Sequence, residues 1–182
     1  MEPNKVIQIW ERCKSQDRQA QSELYQYFSA KMYALCIRYA KDQDDAADIL
    51  QNGFIKVFKK CELFEGKGSL EGWIRKVMVN TAIESHRKNK VRFLSTEELT
   101  GHEIEQAGSF SLTHLDYKDL LALIKKLPMG YRTVFNLYAI EGYNHKEIAE
   151  MLEISEGSSK SQLSRARSWL KERIQKMEEL GI

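Results

Sequence analysis

The sequence predicts an all-α protein, made of two small helical domains joined by a flexible linker. Apolar residues recur three and four apart through most of the 182 residues, and β-branched residues never alternate over a long run. Only two prolines occur, Pro3 and Pro128, so little interrupts a helix. From about Val91 to His114 the periodicity fades, and Ser, Thr, Gly and Glu take over. The predicted domains are therefore residues 1–90 and 115–182, with 91–114 as the linker. Charge follows much the same division. Residues 1–90 carry 16 Lys/Arg against 12 Asp/Glu, residues 91–116 carry 1 against 5, and residues 117–182 carry 11 against 9. Two mildly basic blocks flank an acidic segment.

In chain order, residues 5–14 predict a first helix with Val6, Ile9, Trp10 and Cys13 on one side. After a polar break at Ser15–Asp17, a second helix is predicted over Arg18–Tyr27. A third, over Ala30–Lys41, carries Met32, Leu35, Cys36 and Tyr39. Asp42, Asp44 and Asp45 suit a helix start, because carboxylates complement its positive end. That helix runs to about Cys61, with Ala46, Ile49, Leu50, Phe54, Val57 and Phe58 as its apolar stripe. Phe64–Leu70 is a glycine-containing loop whose spacing fits neither a Walker A motif nor a dinucleotide fingerprint. A further helix over Leu70–Asn89 carries Trp73, Ile74, Val77, Met78, Ala82 and Ile83. Its basic end, Arg87, Lys88 and Lys90, complements the helix dipole. Beyond the linker, Asp116–Lys126 is helical. Pro128 opens the next helix, which carries Val134, Phe135, Leu137 and Tyr138 and stops at Gly142.

Residues Gly142 to Arg173 read as two helices and a short turn. Asn144 is the N-cap of the first, with Glu147 as its reciprocal capping partner. Ile148, Ala149 and Leu152 give that helix its apolar face. Ile154 fills the turn, and Ser155 caps the second helix, whose inner face is Leu163, Ala166 and Leu170. The outer face holds Ser158, Lys160, Ser161, Gln162, Ser164, Arg165 and Arg167, the hydroxyl, amide and cationic groups that reach phosphates and base edges in a major groove. An ordinary solvated hairpin is the alternative, but it would favour Glu and Lys. Serines at 155, 158, 159 and 161 are poor helix formers and need another reason. The pair is a helix-turn-helix with its recognition helix second. The tail Met177–Ile182 is expected to fray.

Several function classes are disfavoured. Cys13, Cys36 and Cys61 form no CxxC pattern or Cys/His cluster, and the four histidines are isolated in sequence, so neither zinc nor a disulfide framework is indicated. No apolar run approaches membrane-spanning length and the N-terminus lacks a signal-peptide pattern, so a cytoplasmic protein is expected. Asp44, Asp45 and Asp48 have no accompanying histidine or further acid, so capping or a partner contact is preferred to a metal site. No catalytic constellation and no cofactor motif is found.

The two halves together resemble bacterial RNA polymerase sigma factors, in the short two-domain layout of the extracytoplasmic-function (ECF) group. The resemblance rests on Asp48, Gln51 and Phe54 in a D-x-x-Q-x-x-F pattern, on Gly68 to Trp73 in a G-S-L-x-x-W loop, on Asn80, and on Leu127 to Arg132 in an LP-x-x-x-R pattern. It covers nearly the whole chain apart from the linker and the ends.

The resemblance implies a factor that binds core RNA polymerase through the β′ clamp and β flap, recognises minus-thirty-five and minus-ten promoter elements, and promotes melting of the latter. An anti-sigma partner is also implied. Asp48, Gln51 and Phe54 would meet the clamp, with Phe54 either an anchor or core. Lys67, Ser69, Asn80, Arg75, Lys76, Arg87 and Lys88 would meet the melted strand, with Trp73 either a stacking platform or core. Ser158, Lys160, Ser161, Gln162, Ser164 and Arg165 would meet the upstream element. Three residues depart from the family pattern. Glu153 stands where the turn often has glycine, Ser159 replaces an apolar seat, and Gln162 replaces arginine, which favours adenine over guanine or phosphate. The acidic linker either mimics nucleic acid in the polymerase channels or is a solvated spacer. The rivals are a polymerase-independent helix-turn-helix regulator and, behind it, a metal-dependent nuclease.

Overall fold

The structure is a computed structural model that describes residues 3–93 and 117–179, and these form eight helices and no strand. The expected linker therefore lies almost wholly outside the described residues. The chain divides into two compact units, Met1–Asn89 and Lys90–Ile182.

In the first unit, α1 (Pro3–Lys14) buries Val6, Ile9, Trp10 and Cys13, as their spacing predicts. Asp17 then caps α2, accepting from the N–H groups of Gln19 (2.9 Å) and Ala20 (3.1 Å). Here the structure corrects the sequence reading. Arg18–Tyr39 is one continuous helix, α2, and not two. Ala20, Leu24, Phe28, Met32 and Cys36 are all buried at four-residue steps, so the ladder passes straight through Ser29. Neither glycine nor proline stands between 18 and 39 to break it. Asp42 caps α3 (Gln43–Lys59), accepting from Asp45 N–H at 2.8 Å. Gly53 lets α3 approach α4, because a Cβ there would collide with Met78 Sδ. A 3-10 turn at Cys61–Leu63 leads into the loop, where Gly66 and Gly68 take φ of 75° and 82°. Ser69 caps α4 (Leu70–Phe93) through Gly72 N–H at 3.0 Å. This helix continues four residues past the expected end at Asn89.

In the second unit, α5 (Tyr117–Lys126) and α8 (Glu156–Glu179) share a core of Leu123, Ile124, Leu127, Ala166, Leu170 and Ile174. Helix α6 (Met129–Phe135) starts immediately after Pro128. Arg132, only 5% exposed, reaches back from it and donates to the Lys125 carbonyl at 3.0 Å, satisfying one of the free carbonyls at the end of α5. The helix then widens into a π turn at Asn136–Ile140, marked by Glu141 N–H on the Asn136 carbonyl at 3.0 Å. Gly142, with φ 80°, ends it. Asn144 and Glu147 form the expected reciprocal capping box on α7 (His145–Leu152). Glu153 holds the left-handed turn with φ 54°, a conformation that glycine adopts without strain. Ser155 caps α8, accepting from Ser158 N–H at 3.0 Å. Helix α8 runs to Glu179, into the tail expected to fray.

Candidate nucleic-acid interface

Helix α4 presents the clearest surface. Trp73, Lys76, Asn80 and Arg87 recur at helical spacing and fall on one stripe, and Lys76, Asn80 and Arg87 are exposed along it. Arg75 is half-buried on a different face of the helix. Trp73 is half-buried, its ring 5.5 Å from Trp10 and 5.9 Å from Phe64, so it is a wall of an aromatic cluster that keeps one side open. The core reading is partly met, and the ring is not fully buried. Lys67 is exposed in the loop and pairs with Glu65 at 2.6 Å. Ser69 accepts its helix-capping bond through Oγ, which leaves the hydroxyl proton to donate elsewhere. The side chain of Lys88 lies outside the described residues.

On α3, Asp48 and Gln51 are exposed one turn apart. Phe54 is not an available anchor. It is 2% exposed and packs on Tyr25 (ring centroids 4.7 Å apart) and Phe58 (5.9 Å), so it supports the helix from inside. The exposed apolar group on that face is Ile55, one helical turn beyond Gln51. It falls outside the apolar stripe that the sequence predicts, and a single exposed apolar residue carries no signal of a contact by itself.

On α8 the expected outer face divides. Lys160 is exposed and sits 3.8 Å from Glu156. Ser161 donates to the Ser158 carbonyl at 3.0 Å, and Ser158 accepts the Ser155 hydroxyl at 2.9 Å. Gln162 and Arg165 lean toward α6. A Cβ on Gly130 would meet Gln162 Oε1 at 3.1 Å, and an Arg165 N–H reaches the Tyr131 hydroxyl at 3.5 Å. Ser164 is half-buried. Arg167 lies with its guanidinium 5.5 Å from the Tyr138 ring centroid.

One cluster escaped the sequence reading. His145, isolated in sequence, stacks on Tyr138 (4.7 Å, 24°), and its Nδ1 is 3.0 Å from Ser159 Oγ. Burial holds the His145 imidazole below its ordinary pKa, with Lys160 and Arg167 acting in the same direction. The partners come from two other elements, the π turn and α8, and the breaks at Gly142 and Glu153 between them and His145 keep helical spacing from revealing the contact.

A helix-turn-helix with hydroxyls and cations on its second helix, in a chain that also carries an amide and cations along α4, defines a DNA-binding protein of the helical class. Sigma-70 region 2 matches residues 24–92, and Sigma-70 region 4 matches residues 117–170. RNA polymerase sigma factor SigV of Bacillus subtilis (strain 168) is 32% identical over 135 residues, covering 74% of this chain and 78% of its own. The ECF RNA polymerase sigma factor SigM of the same organism is 29% identical over 150 residues, covering 82% and 91%. The fold is similar to that of the sigma factor RpoE of Bartonella quintana, solved with the anti-sigma factor NepR. The TM-score is 0.52 at 21% identity, over 85% of this chain and 96% of that one. The chain belongs to the ECF group of RNA polymerase sigma factors. As such it is a transcription initiation factor that works with core RNA polymerase on promoter DNA. No described helix is long and apolar enough to cross a membrane.

Proposed function

We propose that residues 1–90 bind core polymerase and melt the minus-ten element, that 91–114 link the domains, and that 115–182 hold the minus-thirty-five element. The observation that carries this reading is the α4 stripe of Trp73, Lys76, Asn80 and Arg87 in a chain that also has a helix-turn-helix. Melting duplex DNA needs capture of an unstacked strand, for which an aromatic wall, an amide and cations are suited. Lys67 and Ser69 extend that surface at the loop, and Arg75 and Lys88 contribute charge beside it. Asp48 and Gln51 meet the β′ clamp with Ile55 as the apolar contact, Phe54 bracing them from within. The C-terminal domain meets the β flap. On α8, Lys160, Ser161 and Ser164 approach the duplex, with Ser158 at the helix start and Gln162 and Arg165 on the flank toward α6. The factor performs no covalent chemistry, acts in the cytoplasm, and is held by an anti-sigma factor, as the RpoE of Bartonella quintana is in its complex with NepR.

The test is reconstitution with core polymerase and run-off transcription from genomic fragments. Start sites that need both components support the reading. Tight binding of duplex without any binding to core sinks it. Within the complex, Asn80→Ala should reduce open-complex formation roughly tenfold while core affinity holds, the loss of one good base contact. Lys160→Ala should weaken upstream binding evenly across sequences and lower the salt slope by about one.

A further inference from the structure

We propose that His145 and Ser159 form a positioning pair that sets how α8 sits on its own unit, with Tyr138 clamping the imidazole. The proposal rests on the reading that α8 meets duplex DNA. Ser159 is 0% exposed, at the position where an apolar side chain is expected to seat the recognition helix. A hydroxyl there must be satisfied, and His145 Nδ1 at 3.0 Å does so.

Each partner is fixed from its own side. His145 directly follows Asn144, whose capping box with Glu147 immobilises the start of α7. Tyr138 belongs to the π turn, and the Tyr143 N–H on the Leu137 carbonyl at 3.0 Å ties that turn to the start of α7. Ser159 lies in the first turn of α8, whose N–H bonds the Ser155 carbonyl at 3.0 Å. A methyl-to-methyl contact tolerates sliding, whereas a hydrogen bond holds distance and angle together. Lys160 directly follows Ser159 and Gln162 lies about one turn further along α8, so the pair acts beside groups proposed to face DNA. His145 and Ser159 need not touch the nucleic acid. They are positioning residues.

A neutral ring suits this role, since its Nδ1 lone pair can accept the Ser159 hydroxyl. The charged groups around the ring are Lys160, Arg167 and Glu156 from α8, with the Tyr138 ring on the π turn.

The experiment uses the full chain bound to core polymerase and a labelled upstream-element duplex. Ser159→Ala should weaken binding roughly fivefold to tenfold, the scale of one part-buried hydrogen bond lost where the helix is seated. The double variant His145→Phe, Ser159→Val, which substitutes an apolar contact and keeps a ring against Tyr138, should recover to within about twofold of the parent. In the free chain, ¹⁵N resonances of His145 should show a hydrogen-bonded Nδ1 that Ser159→Ala abolishes. Unchanged affinity in a folded Ser159→Ala chain overturns the proposal. So does a double variant weaker than the single one, or an Nδ1 signal in the parent that matches a solvated imidazole. Lys160→Ala separates the two levels. If it too leaves upstream binding unchanged, the assignment of α8 to DNA has failed, and the ¹⁵N signal still decides whether the pair exists.

Discussion

In the N-terminal unit the buried polar residue among those described is Thr81, whose hydroxyl donates within its own helix to the Val77 carbonyl at 2.8 Å. In the C-terminal unit Arg132, Thr133, Asn136 and Ser159 are all buried, and two of them bridge elements: Arg132 joins α6 to α5, and Ser159 joins α8 to α7. The difference follows from helix length and from where the working groups sit. The first unit packs helices of 22, 17 and 24 residues through continuous apolar stripes, and its proposed contacts lie on outward faces well away from that core. In the second, α7 has 8 residues and α6 has 7, too short to be fixed by apolar burial alone. Directional bonds supply the missing orientation. One unit is held by shape, the other partly by hydrogen-bond geometry.

The contrast can be broken at three places. Trp10 is 1% exposed and joins Phe64 and Trp73. Trp10→Ala should remove about 3–5 kcal/mol from the first unit by urea unfolding, the usual cost of emptying an aromatic site. A loss below about 1 kcal/mol would mean that the unit is not held by this packing. Arg132→Ala should cost the second unit about 1.5–3 kcal/mol, as removal of a charged donor leaves the α5 carbonyl end unmet. Arg132→Lys should restore little, because an ammonium lacks the forked geometry. Full rescue by lysine would show that charge matters there and direction does not. The smallest effect concerns Asp17, whose carboxyl is held below its ordinary value by the Ala20 N–H first and the Arg12 guanidinium next. A lowered pKa gives stability that is present above the unfolded value near 3.9 and lost as pH falls through the folded one. Asp17→Asn should therefore lower the stability of the first unit slightly at pH 7 and converge with the parent as pH falls below about 4, which flattens the acid limb. An unchanged acid limb would remove Asp17 from the account.

Much of this was legible from residue order, for identifiable reasons. Capping is local, so Asn144 with Glu147, and Ser155 before α8, could be read directly and take those roles in the structure. The helix Leu70–Asn89 was also legible, though the stripe of Trp73, Lys76, Asn80 and Arg87 along it emerges only in the structure. Continuity was harder to judge. The spacing predicts separate helices ending at Tyr27 and starting at Ala30, yet Phe28 and Met32 carry the buried ladder of α2 across that gap. Periodicity placed Phe54 in the buried stripe, where it is, but it does not mark Ile55, an apolar residue left exposed beside that stripe, as a contact. Contacts across a turn were out of reach. Nothing in the spacing of His145 and Ser159 marks them as partners, and the widened turn at Asn136–Ile140 depends on packing around it.

That widened turn makes the second unit sensitive to counting as well as to chemistry. A bond from residue 141 back to 136 closes over one residue more than an α-helical turn does. Deleting a single residue there would close the wide turn to a regular α-helical one and change which way the side chains within it point. Tyr138 would then leave the face where His145 stacks. In lineages of this chain, substitutions through the segment would be absorbed more easily than a one-codon change in length, even though every side chain of the proposed DNA surface stayed the same.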